Sequence, residues 1–275
     1  MKRTLLIINA NSGSANAVDG EQVVSALQAA GLDICRQVKL PDEDLPSKDA
    51  VEDGRFEVVA ILSGDGTISS LCANLSGWDG AILALPGGTM NLLSRRLHGD
   101  YPLPALLQGI ASTPLDAEHI AVIKFGEREI LTGLTVGPCT RWGEVREGIR
   151  QGDMSTLTDI VPAAWSETLA DNGVWLGGGG RKAYAGIFIE PVDANALLVM
   201  AFRANSITDM VGHGIAWLRR DFREGPRSDL GTMATVTVLG DDTDTGLLID
   251  GELEGGQLPL TCSAGLSSLK FIKII

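Results

Sequence analysis

Three times in its first hundred residues the chain repeats one pattern: a continuous apolar run of strand length, a turn of glycine and small polar residues, and an apolar stripe at helical spacing. Thr4–Ile8 leads into "NANSGSAN" and then into Val23, Val24, Leu27 and Ala30, with Gly31 as the stop. Val58–Leu62 leads into Ser63-Gly64-Asp65-Gly66-Thr67, followed by Ile68, Leu71, Cys72 and Leu75 on one helical face. Ala81–Leu85 leads into "PGGT" and then Met90, Leu93 and Leu97. Strands that are apolar throughout must be covered on both faces, and helical links between them allow parallel pairing. The first half is therefore expected to be an α/β domain with a Rossmann-like parallel sheet.

In such sheets ligands bind beyond the carboxyl ends of the strands, where all three turns must lie. A helix that starts there aims its N–H groups and the positive end of its dipole at the ligand, and phosphate is the usual occupant. Gly64, Gly66, Gly87 and Gly88 fit this reading, since without side chains they let backbone approach an oxyanion. Asp65 does not fit by itself: a carboxylate about 4 Å from a phosphate oxygen is repelled by roughly 4 kcal/mol at an effective dielectric constant of about 20. A magnesium ion between them resolves the conflict, because it takes carboxylate and phosphate oxygens together. The alternative is that Asp65 merely caps a helix in an ordinary Asp-Gly turn.

After Pro114 the texture changes. "HIAVIKF", "EILTGLTV", "AYAGIFIE", "ALLVMAF", "TMATVTVL", "GLLIDGELE", "LPLTCSA" and "LKFIKII" are short β-rich runs parted by Gly, Asp, Asn and Pro, the pattern of an antiparallel β-sandwich. A helix interrupts them around Met210–Phe222. Two domains are expected, 1–114 and 115–275, with the last strand able to return to the first; 275 residues at 44% apolar suffice for two cores. Trp142, Trp165, Trp175 and Trp217 are candidates for an apolar groove but are foremost core residues. "WLGGGGRKAY" reads as a turn without chemistry. Arg219, Arg220, Arg223 and Arg227 form either a solvated helix face or a local basic patch for lipid headgroups.

A net charge of -13 excludes nucleic acid as a partner and gives no general attraction to an anionic membrane. Contact with lipid must be local and peripheral. Cys35, Cys72, Cys139 and Cys262 are scattered, and with only three histidines they suggest neither zinc nor disulfides; reduced, buried thiols and a cytoplasmic location are expected. The basic N-terminus carries too short an apolar run for a signal peptide, and no stretch reaches membrane-spanning length.

Four segments in order, "INANSGSA" (8–15), "SGDGT" (63–67), "LPGGTMNLLSRRL" (85–97) and "LLIDGELE" (247–254), resemble the diacylglycerol kinase catalytic-domain family of bacterial lipid kinases and sphingosine and ceramide kinases. The resemblance implies a Rossmann-like nucleotide domain, a larger β-sandwich domain and an active site in the cleft between them. It implies ATP and magnesium, with phosphoryl transfer to a diacylglycerol-like lipid hydroxyl in phospholipid biosynthesis. It places nucleotide binding on Asn9, Asn11, Ser12, Gly13, Ser63, Gly64, Asp65, Gly66, Thr67, Gly87, Gly88, Thr89 and Asn91. Asp65 is implied as metal contact and catalytic residue, and the acceptor's base falls on Asp250 or Glu252. Glu252 is the favoured base, with Asp250 supporting it or touching a second metal. On residues alone, Asp250-Gly251 between two β-rich runs reads first as a hairpin turn, and the resemblance is what reverses that preference.

The chain also departs from the family pattern. Ser63 replaces the first of two glycines, Leu92 replaces an acidic residue, and Asn195 stands where a carboxylate would hold a structural magnesium, so that site is not expected. Two other functions compete. An NAD kinase-like enzyme shares the glycine-aspartate turn but is opposed by "LPGGTMN" and "IDGE". A catalytically silent nucleotide or lipid sensor would fit Leu92 and Asn195 but is opposed by the retained Asp65, Asp250 and Glu252. The oligomeric state is open, and a homodimer is compatible.

Overall fold

The computed structural model describes residues 1–12, 20–141, 173–202 and 227–274. Gly13, Trp142, Trp165, the helix expected over Met210–Phe222 with Trp217, the cluster Arg219, Arg220 and Arg223, and the Arg227 side chain lie outside the described residues. The chain divides into two units, Met1–Ile120 with Leu266–Ile275, and Ala121–Gly265.

In the first unit, β1 (Lys2–Asn9), β2 (Leu32–Leu40), β3 (Val58–Ser63), β4 (Ala81–Pro86) and the end of β15 (Leu260–Ile272) form a parallel sheet in the order β2-β1-β3-β4-β15. The continuous apolar runs are explained by two covered faces. Leu6, Ala60, Leu62, Leu83 and Leu85 share a core with Val23 and Leu27 of α1 (Gly20–Ala29) and Leu103, Leu106, Leu107 and Ile110 of α5 (Leu103–Ser112). The alternate residues Leu5, Ile7, Val59, Ile61, Ile82 and Ala84 are just as buried. On that side α3 (Asp65–Asn74) packs on β3 and α4 (Leu92–His98) on β4. Each fully buried Leu or Ile contributes about 2 kcal/mol by leaving water.

Three elements of this unit escape the sequence pattern: β2, the short α2 (Lys48–Asp53) and α5. Strand β2 is an edge strand, so Asp33, Arg36 and Lys39 interrupt its buried Leu32, Val38 and Leu40. It also carries Cys35, which is exposed, a correction to the expected burial of the thiols. Met90 is a second correction: it lies in the loop, because helix α4 begins only after Asn91.

The second unit is antiparallel. One layer runs β11 (Arg227–Met233), β10 (Ala196–Phe202), β9 (Gly186–Asp193), β7 (Leu134–Val136), β13 (Asp244–Ile249) and β14 (Glu252–Gln257). The other joins β8 (Val174–Leu176), β12 (Thr235–Gly240) and the start of β15, with the hairpin of β5 (Ala117–Phe125) and β6 (Arg128–Ile130) beside it. Both layers supply one core, with Leu134, Ile187, Val199 and Ile249 from the first and Ile123, Val174, Val238 and Cys262 from the second.

Two expected runs change shape. "EILTGLTV" breaks at Leu131–Gly133 into β6 and β7, which belong to different layers. "LPLTCSA" and "LKFIKII" join through Gly265 into the single 13-residue β15. The "WLGGGGRKAY" turn is closed by a bridge between Val174 and Tyr184, and the Arg181 guanidinium lies 4.9 Å from the Trp175 ring centre while pairing with Asp241. Among the described residues, no helix is long and apolar enough to cross a membrane.

Candidate active site

Register puts three loops at one level of the parallel sheet. Ile8 pairs with Leu62 and Leu62 with Leu85, so the loops after Asn9, Ser63 and Pro86 leave the same edge side by side. Hydrogen bonds tie them together. Asn9 accepts from the Asn11 N–H at 3.0 Å and donates through Nδ2 to Thr67 Oγ1 at 3.2 Å, linking the first loop to α3. Ser12 Oγ accepts the Gly64 N–H at 3.2 Å and lies 3.3 Å from Ser63 Oγ. Ser63, at the position where the family pattern has glycine, thus turns its hydroxyl toward the first loop.

The third loop folds on its own asparagine. Asn91 sits in the left-handed region at φ 53, a conformation asparagine tolerates better than most residues. Its Oδ1 accepts the Gly88 N–H at 2.8 Å and its Nδ2 donates to the Gly88 carbonyl at 3.0 Å. Thr89 stands exposed at the tip of that loop.

Glycine is required here by contact between the loops. A Cβ on Gly87 would come within 2.7 Å of Ser63 N, and one on Gly88 within 2.6 Å of Gly64 Cα. A Cβ on Gly64 would meet Gly88 Cα only at 3.6 Å, an ordinary contact. The Gly64, Gly87 and Gly88 amides also already donate within the chain, to Ser12 Oγ, the Ser63 carbonyl and Asn91 Oδ1. The amides placed to meet an anion are those of Gly66 and Thr67 in the first turn of α3, where the helix dipole is positive.

Asp65 opens α3 and is half-buried. Its Oδ1 accepts the Leu93 N–H at 3.2 Å, so it caps α4, 28 residues further along the chain. The loop segments 9–12, 63–67 and 87–93 hold no lysine or arginine. Within these segments, phosphate charge would meet helix amides and whatever cation Asp65 can share. Among the described residues no three acidic, histidine or cysteine side chains cluster as a metal cage. The donor set therefore fits an ion carried in by phosphates, which needs only one or two protein carboxylates.

Beneath the third loop, His98 is buried and holds α4 to the sheet: its Nε2 donates to the Ala84 carbonyl at 3.0 Å, and its Nδ1 accepts the Ile274 N–H at 3.3 Å. Burial pulls its pKa down to about 4, so the ring is neutral at pH 7.

The other acidic motif lies in the second unit. Asp250 and Gly251 join β13 to β14 as a two-residue turn with φ 50 and 90, the positive pair of a type I′ hairpin. Asp250 is 4% exposed. Its carboxylate accepts the N–H groups of Leu131 at 3.1 Å, Thr132 at 2.6 Å and Gly133 at 3.4 Å, and the Thr132 hydroxyl at 2.8 Å. Burial raises its pKa against the lowering by those donors. Glu252, the first residue of β14, is exposed, and its carboxylate has no hydrogen-bond partner among the described residues. Two residues on, Glu254 pairs with both nitrogens of the Arg128 fork at 2.6 and 2.7 Å, which holds its carboxyl below the usual range. Asn195 lies in the β9–β10 turn, its N–H bonded to Asp193 Oδ1 at 2.7 Å. The sequence reading missed Leu131–Gly133 and Arg128; the Thr-Gly break inside "EILTGLTV" is the one signal that marks the former.

Residues 3–122 match the family model of the diacylglycerol kinase catalytic domain. No curated protein matches the chain in sequence. Among solved structures, a diacylglycerol kinase from Bacillus anthracis str. Sterne superposes with a TM-score of 0.65 at 14% identity, over 99% of this chain and 97% of that one. A candidate diacylglycerol kinase from the same strain gives 0.64 at 15%, over 99% and 97%. At these identities the likeness is one of fold: a mostly parallel α/β unit followed by an antiparallel one. All three loops lie inside the matched segment, and the Asp250–Glu252 turn lies beyond it. Residues 3–122 of this chain are therefore similar to the diacylglycerol kinase catalytic domain.

Proposed function

We propose that this chain is an ATP-dependent lipid kinase that transfers the γ-phosphoryl group to the hydroxyl of a diacylglycerol-like lipid, in peripheral contact with a membrane. One observation carries the reading: three loops leave one edge of the parallel sheet in register, with Asp65 at their centre and the first turn of α3 directed at the same place. That arrangement falls within the segment that matches a kinase catalytic domain.

Each part has a chemical task. The Gly66 and Thr67 amides of α3 would hold phosphate oxygens, and Asp65 would hold the nucleotide's magnesium, which would neutralise the charge that builds on the transferring group. The Asn9–Thr67 and Asn91–Gly88 hydrogen bonds keep the neighbouring loops in shape. The acceptor hydroxyl gives up its proton as the new bond to phosphorus forms, and Glu252 is assigned as the base, being an exposed carboxylate with lone pairs to offer. Asp250, whose carboxylate takes four hydrogen bonds, holds the turn instead.

The test is incubation with labelled ATP, magnesium and a panel of diacylglycerol, phosphatidylglycerol, ceramide, sphingosine and NAD, with the products resolved. Label in a lipid supports the proposal and names the acceptor. Label in NADP would replace it with the NAD kinase-like reading, and no labelled product would leave the sensor reading.

A further inference from the structure

The Leu131–Gly133 segment between β6 and β7 anchors the hairpin that carries Glu252. Asp250 holds the left-handed conformation of the type I′ turn, which aspartate tolerates better than most residues. The contacts that fix the turn converge on its carboxylate. Oδ1 takes the Thr132 N–H at 2.6 Å, the Thr132 hydroxyl at 2.8 Å and the Gly133 N–H at 3.4 Å, while Oδ2 takes the Leu131 N–H at 3.1 Å. The Asp250 N–H returns a bond to the Gly133 carbonyl at 3.0 Å. Of these donors only the Thr132 hydroxyl belongs to a side chain, so it is the one a substitution can remove alone.

The anchor is also close in register to the base. Ile249 pairs with Leu134 on one side and with Glu252 on the other, so the clamp and the Glu252 carboxylate flank one residue pair of the hairpin. Arg128, gripping Glu254 two residues further on, fixes the same strand from β6. A carboxylate that must meet a hydroxyl within hydrogen-bond reach gains from such fixing, since small misplacement of a catalytic group costs rate steeply.

We propose that Thr132 is a positioning residue for phosphoryl transfer: through the Asp250 carboxylate, its hydroxyl and amide fix the hairpin turn and so the aim of Glu252. The inference rests on the assignment of Glu252 as the acceptor's base. Thr132→Val removes the hydroxyl at nearly constant volume, and Thr132→Ser keeps it. With kcat, both KM values and thermal melting measured on the full chain, Thr132→Val is expected to lower kcat roughly tenfold while leaving the KM for ATP within about twofold, and Thr132→Ser to restore most of the rate.

An unimpaired kcat in a folded Thr132→Val variant overturns the inference. So does a Thr132→Ser variant as slow as Thr132→Val, or a KM for ATP that rises in step with the loss of rate. Should Thr132→Val fail to fold, Thr132→Ala is judged by the same criteria. A wild-type chain that phosphorylates no lipid sinks the proposed function and this inference together, whereas an active wild type with an equally active Thr132→Val sinks the inference alone.

Discussion

Asp65 and Asp250 each precede a glycine in a turn that follows a buried strand, and their surroundings give them opposite work. Asp65 is half-buried at the open edge of a parallel sheet, accepts the Leu93 N–H across a gap of 28 residues, and stands in loops without a cationic side chain. Asp250 is 4% exposed and takes three backbone N–H groups and a hydroxyl. A carboxylate with that many donors is an anchor, because taking up a metal would mean giving up bonds that burial makes costly to lose. One at an open loop edge can cap a helix and still meet an ion. The Asp-Gly pair is the same in both places; depth and donor count decide its use.

The largest expected effect tests the open carboxylate. Asp65→Asn keeps an oxygen for the Leu93 N–H, so the unfolding midpoint should stay put while turnover falls by ~10³-fold or more through lost charge stabilisation. Retained activity would make Asp65 a cap and nothing else, and the comparison would collapse into two anchors. Next comes Glu252→Gln, expected to slow turnover by ~100-fold with ATP affinity unchanged by calorimetric titration. If that variant is active while Asp250→Asn is dead, anchor and base exchange places.

Smaller effects sharpen the contrast within the loops. Gly88→Ala pushes a Cβ to 2.6 Å from the Gly64 backbone and should cost ~1–3 kcal/mol in chemical denaturation as the two loops part, weakening ATP binding with it. Gly64→Ala, with its nearest contact at 3.6 Å, should stay within ~0.5 kcal/mol of wild type. An equal loss in both variants would mean that inter-loop contact is not what selects glycine.

The last effect separates the units by acid. The folded-state pKa of His98 is lowered from 6.5 to about 4, so the unfolded chain binds the proton first and the first unit loses stability as pH falls through that window, by about 2 kcal/mol at about pH 5. Asp250 has the opposite sign: its pKa is raised above 3.8 in the fold, so its burial weighs less on the second unit as pH falls through the folded pKa. Segment-resolved hydrogen exchange at pH 7 and 5, corrected for intrinsic rates, should show residues 81–98 losing protection before 244–257. Equal loss in both segments breaks the distinction.

What could be read from the sequence was what burial writes locally. The runs at Thr4–Ile8, Val58–Leu62 and Ala81–Leu85 announce strands covered on two faces, and the alternation of short β-rich runs announces the antiparallel unit. Strand β2 stayed hidden because an edge strand tolerates charges such as Arg36 and Lys39. The start of α4 stayed hidden because it depends on one left-handed residue, Asn91. The partners of the two aspartates could not be read at all: Asp65 finds Leu93 and Asp250 finds Thr132, 28 and 118 residues away, and no local period encodes such distances.

Strand β15 sets a timetable for synthesis. Lys270 and Phe271 pair with Ala81 and Ile82 of β4, so the first unit to leave the ribosome waits for residues made some 190 positions later before its sheet is complete. Until then β4 offers an unpaired, wholly apolar edge, the kind of surface on which nascent chains pair wrongly with one another. Closing so long a loop is slow, which ties the yield of folded protein to how well that edge is shielded while the antiparallel unit is still being made.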